Sequence, residues 1–364
     1  MIISSHSSFN FRNSEHCSIE PHPEMNIIYG ENGQGKTNLI ESIWMMTGFY
    51  SFRARKNVQL IRQGSEKAEI NTKFTAFGRE QEASLVIGNK KELTLNGVKE
   101  ESPRAIMGTF PAVVFSPSTL GIVRDGPSER RKMLDIGISL IKPNYAMLMS
   151  KYIRVVDQRN VLLRKFGDRS AQMADYFAPW DEELVKLGAK IIKYRLDYTE
   201  KLALYSAEIY DGISSGREKF EFYYGFSKEN LDEEEIAIRL KKELEKNFES
   251  DIKRSYTGSG PHSHDLILSL DGRDARMYGS QGQQRSCALS MKLSEARITE
   301  KVTGESPAVL LDDVMSELDE GRQKYILNFL DGRQVFITCC EPSTLLRKEK
   351  GKVFEVKNGE VKEL

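Results

Sequence analysis

The apolar positions change period several times along the chain. Ile27-Ile28-Tyr29 is an unbroken apolar run feeding a glycine-rich turn, and it predicts a buried strand. Before it, the first 30 residues read as short strands broken by polar turns. After it, Leu39, Ile40, Ile43, Trp44 and Met46 recur at helical spacing and predict a helix over residues 37–49. Residues 67–98 alternate with period two in three runs, 70–74, 85–87 and 93–95. Gly88-Asn89 and Asn96-Gly97 supply turns between them, so antiparallel strands are expected. Ala112-Val113-Val114-Phe115 is a further short strand.

From Pro127 to about Asp211 the period becomes helical. One stripe runs Leu148, Tyr152, Val155, Arg159, Leu162, Phe166; a second runs Leu184, Leu187, Ile191, Tyr194, Tyr198, Leu202, Tyr205, Ile209. Two such stripes predict an antiparallel helical pair, each helix reaching about 40 Å at 1.5 Å per residue. Residues 229–251, with nine Asp/Glu against four Lys/Arg, read as a solvated helix face. After Asp265 strand and helix alternate: strands at 266–270, 308–311 and 335–338, helices at 281–302 and 317–330. That alternation predicts a parallel sheet covered by helices. The expected architecture is an α/β domain from residues 1–120 plus 262–364, with a mainly helical lobe, 121–261, inserted.

Composition narrows the function classes. The 53 Lys+Arg balance 53 Asp+Glu over 364 residues, so any affinity for nucleic acid must come from a local patch. Residues 120–170 carry eleven Lys/Arg against five Asp/Glu and could supply one. No apolar run approaches the roughly 20 residues of a membrane span, and the first ten residues lack a secretory pattern. Cys17, Cys287, Cys339 and Cys340 form neither a C-x-x-C pair nor a disulfide framework, which fits a reducing cytoplasm.

The sharpest chemistry is Gly30-Glu31-Asn32-Gly33-Gln34-Gly35-Lys36-Thr37, followed by Asn38. It fits G-x-x-x-x-G-K-[ST] between a strand and a helix. Glycines let backbone N–H groups close around phosphate oxygens, and the helix start adds partial positive charge. Lys36 would reach the β/γ-phosphates of ATP, and the Thr37 hydroxyl would bind Mg²⁺. Far along the chain, Ala308-Val309-Leu310-Leu311-Asp312-Asp313 is an apolar strand ending in two carboxylates. Asp312 could hold Mg²⁺, and Asp313 could orient water for in-line attack. Alone, the pair would read as a turn or cap. Ser316-Glu317-Leu318-Asp319 also reads as a helix start, capped by Ser316. Ser280-Gln281-Gly282-Gln283 opens the next helix upstream and offers a second anion site, or an ordinary cap.

These four elements occur in the order found in ABC-type ATPases, which the chain resembles, with residues 280–283 as signature and 316–319 as D-loop. Phe11-Arg12-Asn13, the run from Gly126 through Arg130 and Arg131 to Asp135, Gln158-Arg159-Asn160, Pro179-Trp180-Asp181 and Tyr256-Thr257-Gly258-Ser259-Gly260-Pro261-His262 narrow the resemblance to the RecF family, over almost the whole chain. The resemblance implies an ABC-type ATPase head with P-loop, ATP and Mg²⁺ as cofactors, and a homodimer closed around two nucleotides. It also implies slow hydrolysis, binding to duplex and gapped DNA, and work with RecO and RecR to load RecA in repair and replication-fork maintenance. Ser280 and the backbone near Gly282 would then cover the γ-phosphate held by the other copy. The DNA-contact candidates are Arg53, Arg55, Lys56, Arg124, Arg130, Arg131, Lys132, Arg154 and Arg159. The chain departs from the family pattern in several places: Ser116-Pro117-Ser118 stands where many relatives place a Gln, Asp313 replaces Glu, and Thr338-Cys339-Cys340 lacks the usual His. Ser263 likewise takes the place of a basic residue. An ABC transporter subunit and a non-hydrolysing scaffold are the alternative readings.

Overall fold

The structure, a computed structural model, describes residues 1–167, 175–341 and 351–364. In chain order its elements begin with β1 (Ile2–Phe11), β2 (Ser14–Ile19), β3 (Met25–Tyr29), α1 (Lys36–Met45), β4 (Ala68–Ala76), β5 (Arg79–Ile87), β6 (Lys91–Leu95), β7 (Val98–Lys99) and β8 (Ala112–Phe115). There follow α2 (Gly121–Arg124), α3 (Pro127–Ile141), α4 (Asn144–Phe166), α5 (Ala178–Ser214), β9 (Phe220–Tyr224), α6 (Glu233–Arg254), β10 (Leu266–Leu270), β11 (Arg273–Asp274) and α7 (Ala275–Tyr278). The last are α8 (Gln281–Thr303), β12 (Ala308–Leu311), α9 (Glu320–Phe329), β13 (Val335–Cys339), β14 (Gly351–Lys357) and β15 (Glu360–Glu363). Residues 1–119 with 292–364 make one compact unit and 120–291 a second, so the division falls inside α8.

The first unit holds two six-stranded sheets. One is antiparallel, in the order β2-β1-β4-β5-β6-β7; the other runs β15-β14-β3-β13-β12-β8, parallel except at β15. The parallel strands β3, β8, β12 and β13 are buried almost throughout, as an apolar run such as Ala308–Leu311 dictates when both faces are covered, while β14 is only partly buried. α1 packs against β1 of one sheet and against β8, β12 and β13 of the other. Leu39, Ile40, Ile43, Trp44 and Met45 are all buried, so the apolar surface of the helix is consumed by two layers. His6, on β1, ties the antiparallel sheet to α1: its ring bonds Thr72 Oγ1 of β4 at 2.8 Å and Ser42 Oγ of α1 at 2.7 Å.

In the second unit the two predicted stripes are α4 and α5. α5 is longer than expected, with 37 residues reaching about 55 Å. α6 carries its charges where the helix dipole favours them: Glu233, Glu234 and Glu235 in the first turn, Lys253 and Arg254 in the last. Asp232 caps it, accepting from the Glu235 N–H at 2.8 Å. Strand 266–270 does not join the parallel sheet. It is β10, antiparallel to β9 and β11. The second unit therefore extends past 261 and into α8.

The short motifs of this unit meet in a buried polar cluster. Arg159 donates to Asp181 Oδ1 at 2.6 Å, Asp251 Oδ2 at 2.7 Å and Thr257 Oγ1 at 3.0 Å. Asn160 Oδ1 accepts from the Thr257 N–H at 2.6 Å, and Tyr152 Oη lies 2.7 Å from His262 Nδ1. Arg195, which the sequence reading passed over, is fully buried and donates to Asp135, Tyr145, Tyr224 and the Pro261 carbonyl. These polar groups fasten α3, α4, α5 and α6 to the loop 256–262.

Candidate functional site

β3 ends at Tyr29 and the chain turns through residues 30–35 into α1. Gly30, Gly33 and Gly35 have φ of 152°, 83° and 117°. Gly30 cannot be replaced without collision, because a Cβ there would stand 2.3 Å from the Val356 carbonyl oxygen. The β14–β15 turn braces the loop: the Gly359 N–H donates to Gln34 O at 2.8 Å and the Asn358 N–H to Gln34 Oε1 at 2.6 Å. Lys36 Nζ, nearly buried, donates to the carbonyls of Gly30 at 2.5 Å and Glu31 at 2.9 Å.

Strand order brings the distant carboxylates here. β13 lies between β3 and β12, with parallel pairing on both sides. The C-terminal ends of all three strands therefore open on one edge, the usual site of ligand chemistry in such sheets. Asp312, only 2% exposed, accepts at Oδ1 from Thr37 Oγ1 at 2.8 Å and from Thr338 Oγ1 at 2.9 Å. Burial raises its pKa, while the two hydroxyls and the Arg53 charge oppose the rise. Asp313 has a left-handed φ of 54°, and its N–H donates to Thr338 Oγ1 at 2.8 Å. Ser316 Oγ donates to Asp313 Oδ1 at 2.9 Å. Thr338, at the strand end that lacks the expected His, thus binds both carboxylate residues.

A cavity of about 300 Å³ lies at this edge, lined by Asn13, Asn32, Gly33, Gly35, Lys36, Thr37, Asn38, Arg53, Asp313 and Thr338. A larger groove, about 750 Å³, runs between α5 and α6. It has no phosphate-loop backbone, so chemistry and not size selects the site. Thr37 and Asp312 offer adjacent hard oxygen donors, the ligand type Mg²⁺ takes beside phosphate oxygens.

The structure corrects several expectations. Asp319, not Ser316, caps the following helix, accepting from the Arg322 N–H at 2.9 Å, and that helix starts at Glu320. Residues 315–317 form a short 3₁₀ turn; the Glu317 side chain lies outside the described residues. Arg53 lines the phosphate-loop cavity. Arg130 is buried, with its fork on Asp265 at 2.7 and 2.8 Å, and Arg159 is buried in the cluster above, so neither is available to DNA. Arg131 is half-buried and donates to the His264 carbonyl at 3.1 Å. Arg55, Lys56, Arg124, Lys132 and Arg154 are exposed. His264, expected at the surface or on a helix cap, is half-buried, 3.1 Å from Tyr224 Oη and 3.5 Å from a Glu243 oxygen.

In the second unit, Ser280 and Gln283 cap α8 reciprocally. The Ser280 N–H donates to Gln283 Oε1 at 2.6 Å, and the Gln283 N–H to Ser280 Oγ at 3.3 Å. Gln283 Nε2 also donates to Glu218 Oε1 at 2.7 Å. Gln281 and Gly282 form the first turn between them, and Ser280 itself is exposed. Sequence reasoning missed Asn13 and Thr338 as cavity residues; the first had a signal, since it belongs to a motif already noted.

The RecF/RecN/SMC N terminal domain family matches residues 3–362. A DNA replication and repair protein RecF from Clostridium acetobutylicum is 35% identical over 97% of both chains. One from Thermoanaerobacter sp. is 40% identical, again over 97% of each. Among solved structures, the recombination mediator protein RecF-ATPrS in the RecFOR pathway superposes with a TM-score of 0.90 and 37% identity, covering 100% of this chain and 98% of that one. An SMC head bound to the C-winged helix domain of ScpA gives a TM-score of 0.60 at 16% identity, a likeness of fold. The architecture is that of an ABC-type ATPase head.

Proposed function

The chain belongs to the RecF family of DNA replication and repair proteins, and from that premise we propose that it is an ATP-switched DNA clamp. Two copies close around ATP, bind duplex or gapped DNA, and help RecO and RecR load RecA. The bond between Thr37 and Asp312 carries the reading, because it joins the phosphate loop to the carboxylate strand in the geometry a nucleotide and Mg²⁺ require.

When bound, ATP with Mg²⁺ supplies a γ-phosphoryl group open to attack by water. Lys36 would exchange its two carbonyl partners for β/γ-phosphate oxygens. Thr37 and Asp312 would hold Mg²⁺, and Arg53 would add positive charge at the rim. Asp313 would orient the attacking water. Its carboxylate is one methylene shorter than Glu, and the neighbouring strand end Thr338-Cys339-Cys340 carries no His, so the reading includes slow turnover. ATP then works as a switch.

Ser280 and the first turn of α8 would meet the γ-phosphate held by a second copy. Met277 and Tyr278, 72% and 66% exposed just before Ser280, support that face being covered in an assembly. The DNA candidates that remain are Arg55, Lys56, Arg124, Lys132 and Arg154. Membership in the RecF family sets the transporter reading aside.

Sedimentation with and without ATP and gapped duplex DNA tests the proposal. A monomer that becomes a dimer with ATP, and binds DNA with an affinity falling as salt rises, is expected. DNA binding equal with and without nucleotide would count against it.

A further inference from the structure

Glu41 lies four residues beyond Thr37 on α1 and is fully buried. Its Oε1 accepts from Arg12 Nη2 at 2.7 Å and from the Ser51 hydroxyl. Its Oε2 accepts from Arg12 Nε at 2.8 Å and from Arg53 Nη2 at 3.1 Å. A carboxylate withdrawn from water persists only where charge and hydrogen bonds satisfy it, and here two guanidinium groups and a hydroxyl do so.

Both arginines lead to the phosphate-loop cavity. Arg53 lines it and also donates to Asn38 Oδ1 at 2.5 Å. The Ser51 hydroxyl that bonds Glu41 also accepts the N–H groups of Arg53 and Ala54, at 2.9 and 2.6 Å, which fixes the backbone carrying Arg53. Arg12 does not line the cavity, but its neighbour Asn13 does. These two residues turn β1 into β2, and Arg12 has a left-handed φ of 57°. An L-residue holds that conformation when its surroundings impose it. The two-pronged bond to Glu41 and a 2.7 Å bond from Arg12 Nη1 to the Gln59 carbonyl impose it here. Asn13 Oδ1 consequently accepts from Asn38 Nδ2 at 2.6 Å and lies so near Gly35 that a Cβ there would come within 3.2 Å of it.

We propose that Glu41 is a positioning residue for the nucleotide, setting Arg53 directly and Asn13 by way of Arg12. It touches no phosphate itself. A neutral side chain could pack at this helix position, but a carboxylate alone accepts the fork of one guanidinium and an N–H of a second at once. The inference rests on the phosphate-loop reading of the preceding subsection.

The test is binding of a fluorescent ATP analogue by the full chain, with thermal unfolding measured alongside. Wild type, Glu41→Gln, Arg53→Ala and the double variant are compared. Glu41→Gln is expected to weaken binding about ten-fold. Added to Arg53→Ala, it is expected to weaken binding by clearly less, because part of its effect runs through Arg53. Losses that multiply fully overturn the inference, as does wild-type affinity in Glu41→Gln while Arg53→Ala is impaired. Should Glu41→Gln fail to fold, Arg12→Ala reads the same chain of contacts. Several-fold weaker binding supports the inference, and unchanged binding overturns it. Wild type that binds no nucleotide removes the phosphate-loop reading and this inference together, an outcome distinct from either variant pattern.

Discussion

The hydroxyl of Thr338 donates to Oδ1 of Asp312 at 2.9 Å, a bond between the ends of two neighbouring parallel strands. The Thr338 hydroxyl oxygen also accepts the Asp313 N–H, so one side chain satisfies a buried carboxylate and fixes the backbone of the residue after it. Thr338→Val keeps the shape and loses both bonds. It should destabilise the ligand-free protein by about 1–3 kcal/mol in urea unfolding. A change below about 0.5 kcal/mol would show that the hydroxyl is dispensable.

Asp312 itself should show a conflict between stability and function. Burial raises its pKa, so the stability it contributes is present at low pH and is lost as pH rises through the raised value. Above that raised value it is a buried charge with a cost. Asp312→Asn retains an oxygen that accepts from Thr37 and Thr338. It should leave the ligand-free protein as stable or more stable at pH 7, with the gain shrinking toward the ordinary Asp range. Mg²⁺-dependent nucleotide binding should disappear. Calorimetry of both properties checks this, and a destabilised variant that still needed Mg²⁺ would contradict it.

His6 predicts acid sensitivity of the opposite sign. Burial lowers its pKa from 6.5 to about 3, so the unfolded chain binds the proton first as pH falls. The stability present above pH 6.5 is lost progressively toward pH 3, by about 2 kcal/mol at pH 5. Denaturation between pH 7 and 5 should show this slope, and His6→Gln should flatten it. An unchanged slope in the variant would remove His6 as its source.

Two arginines on one helix should behave oppositely. Arg159 is enclosed by Asp181, Asp251 and Thr257, with the rings of Phe177 and Phe248 5.8 and 5.7 Å from its guanidinium carbon. Arg159→Ala should cost about 3–5 kcal/mol, since it strands a buried carboxylate. Arg154, exposed on α4, should alter stability by less than about 0.5 kcal/mol when changed to Gln. If it meets phosphate, DNA affinity falls and the salt slope is reduced by about one. Equal stability losses from the two changes would refute the assignment.

The phosphate loop and the carboxylate strand were legible because their chemistry is local: glycines, a lysine and a hydroxyl at fixed spacing, and an apolar run ending in Asp312-Asp313. The position of β13 between β3 and β12 was not, because strand order is set by packing between distant segments, and with it went the role of Thr338. β9, Phe220-Glu221-Phe222-Tyr223-Tyr224, has period-two alternation but finds its partner β10 only across the intervening α6. Because of that distance the local pattern alone assigns strand 266–270 to the parallel sheet, whereas it pairs with β9. Arg159 carried its own warning, since it falls on the apolar stripe between Val155 and Leu162. Arg130 did too, four residues before buried Leu134 on α3. A charge at a stripe position is a buried ion pair more readily than a surface contact.

If each nucleotide is enclosed by two copies, the phosphate loop comes from one and the α8 start from the other. Lys36→Ala disables the first surface and Ser280→Arg the second. Each variant alone should stay monomeric in sedimentation with ATP. Mixed, they should regain ATP-dependent dimers, because the intact phosphate loop of the Ser280→Arg chain meets the intact Ser280 of the Lys36→Ala chain. A mixture that remains monomeric while wild type dimerises, or a Ser280→Arg protein that dimerises as wild type does, would show that the nucleotide is not shared between two copies.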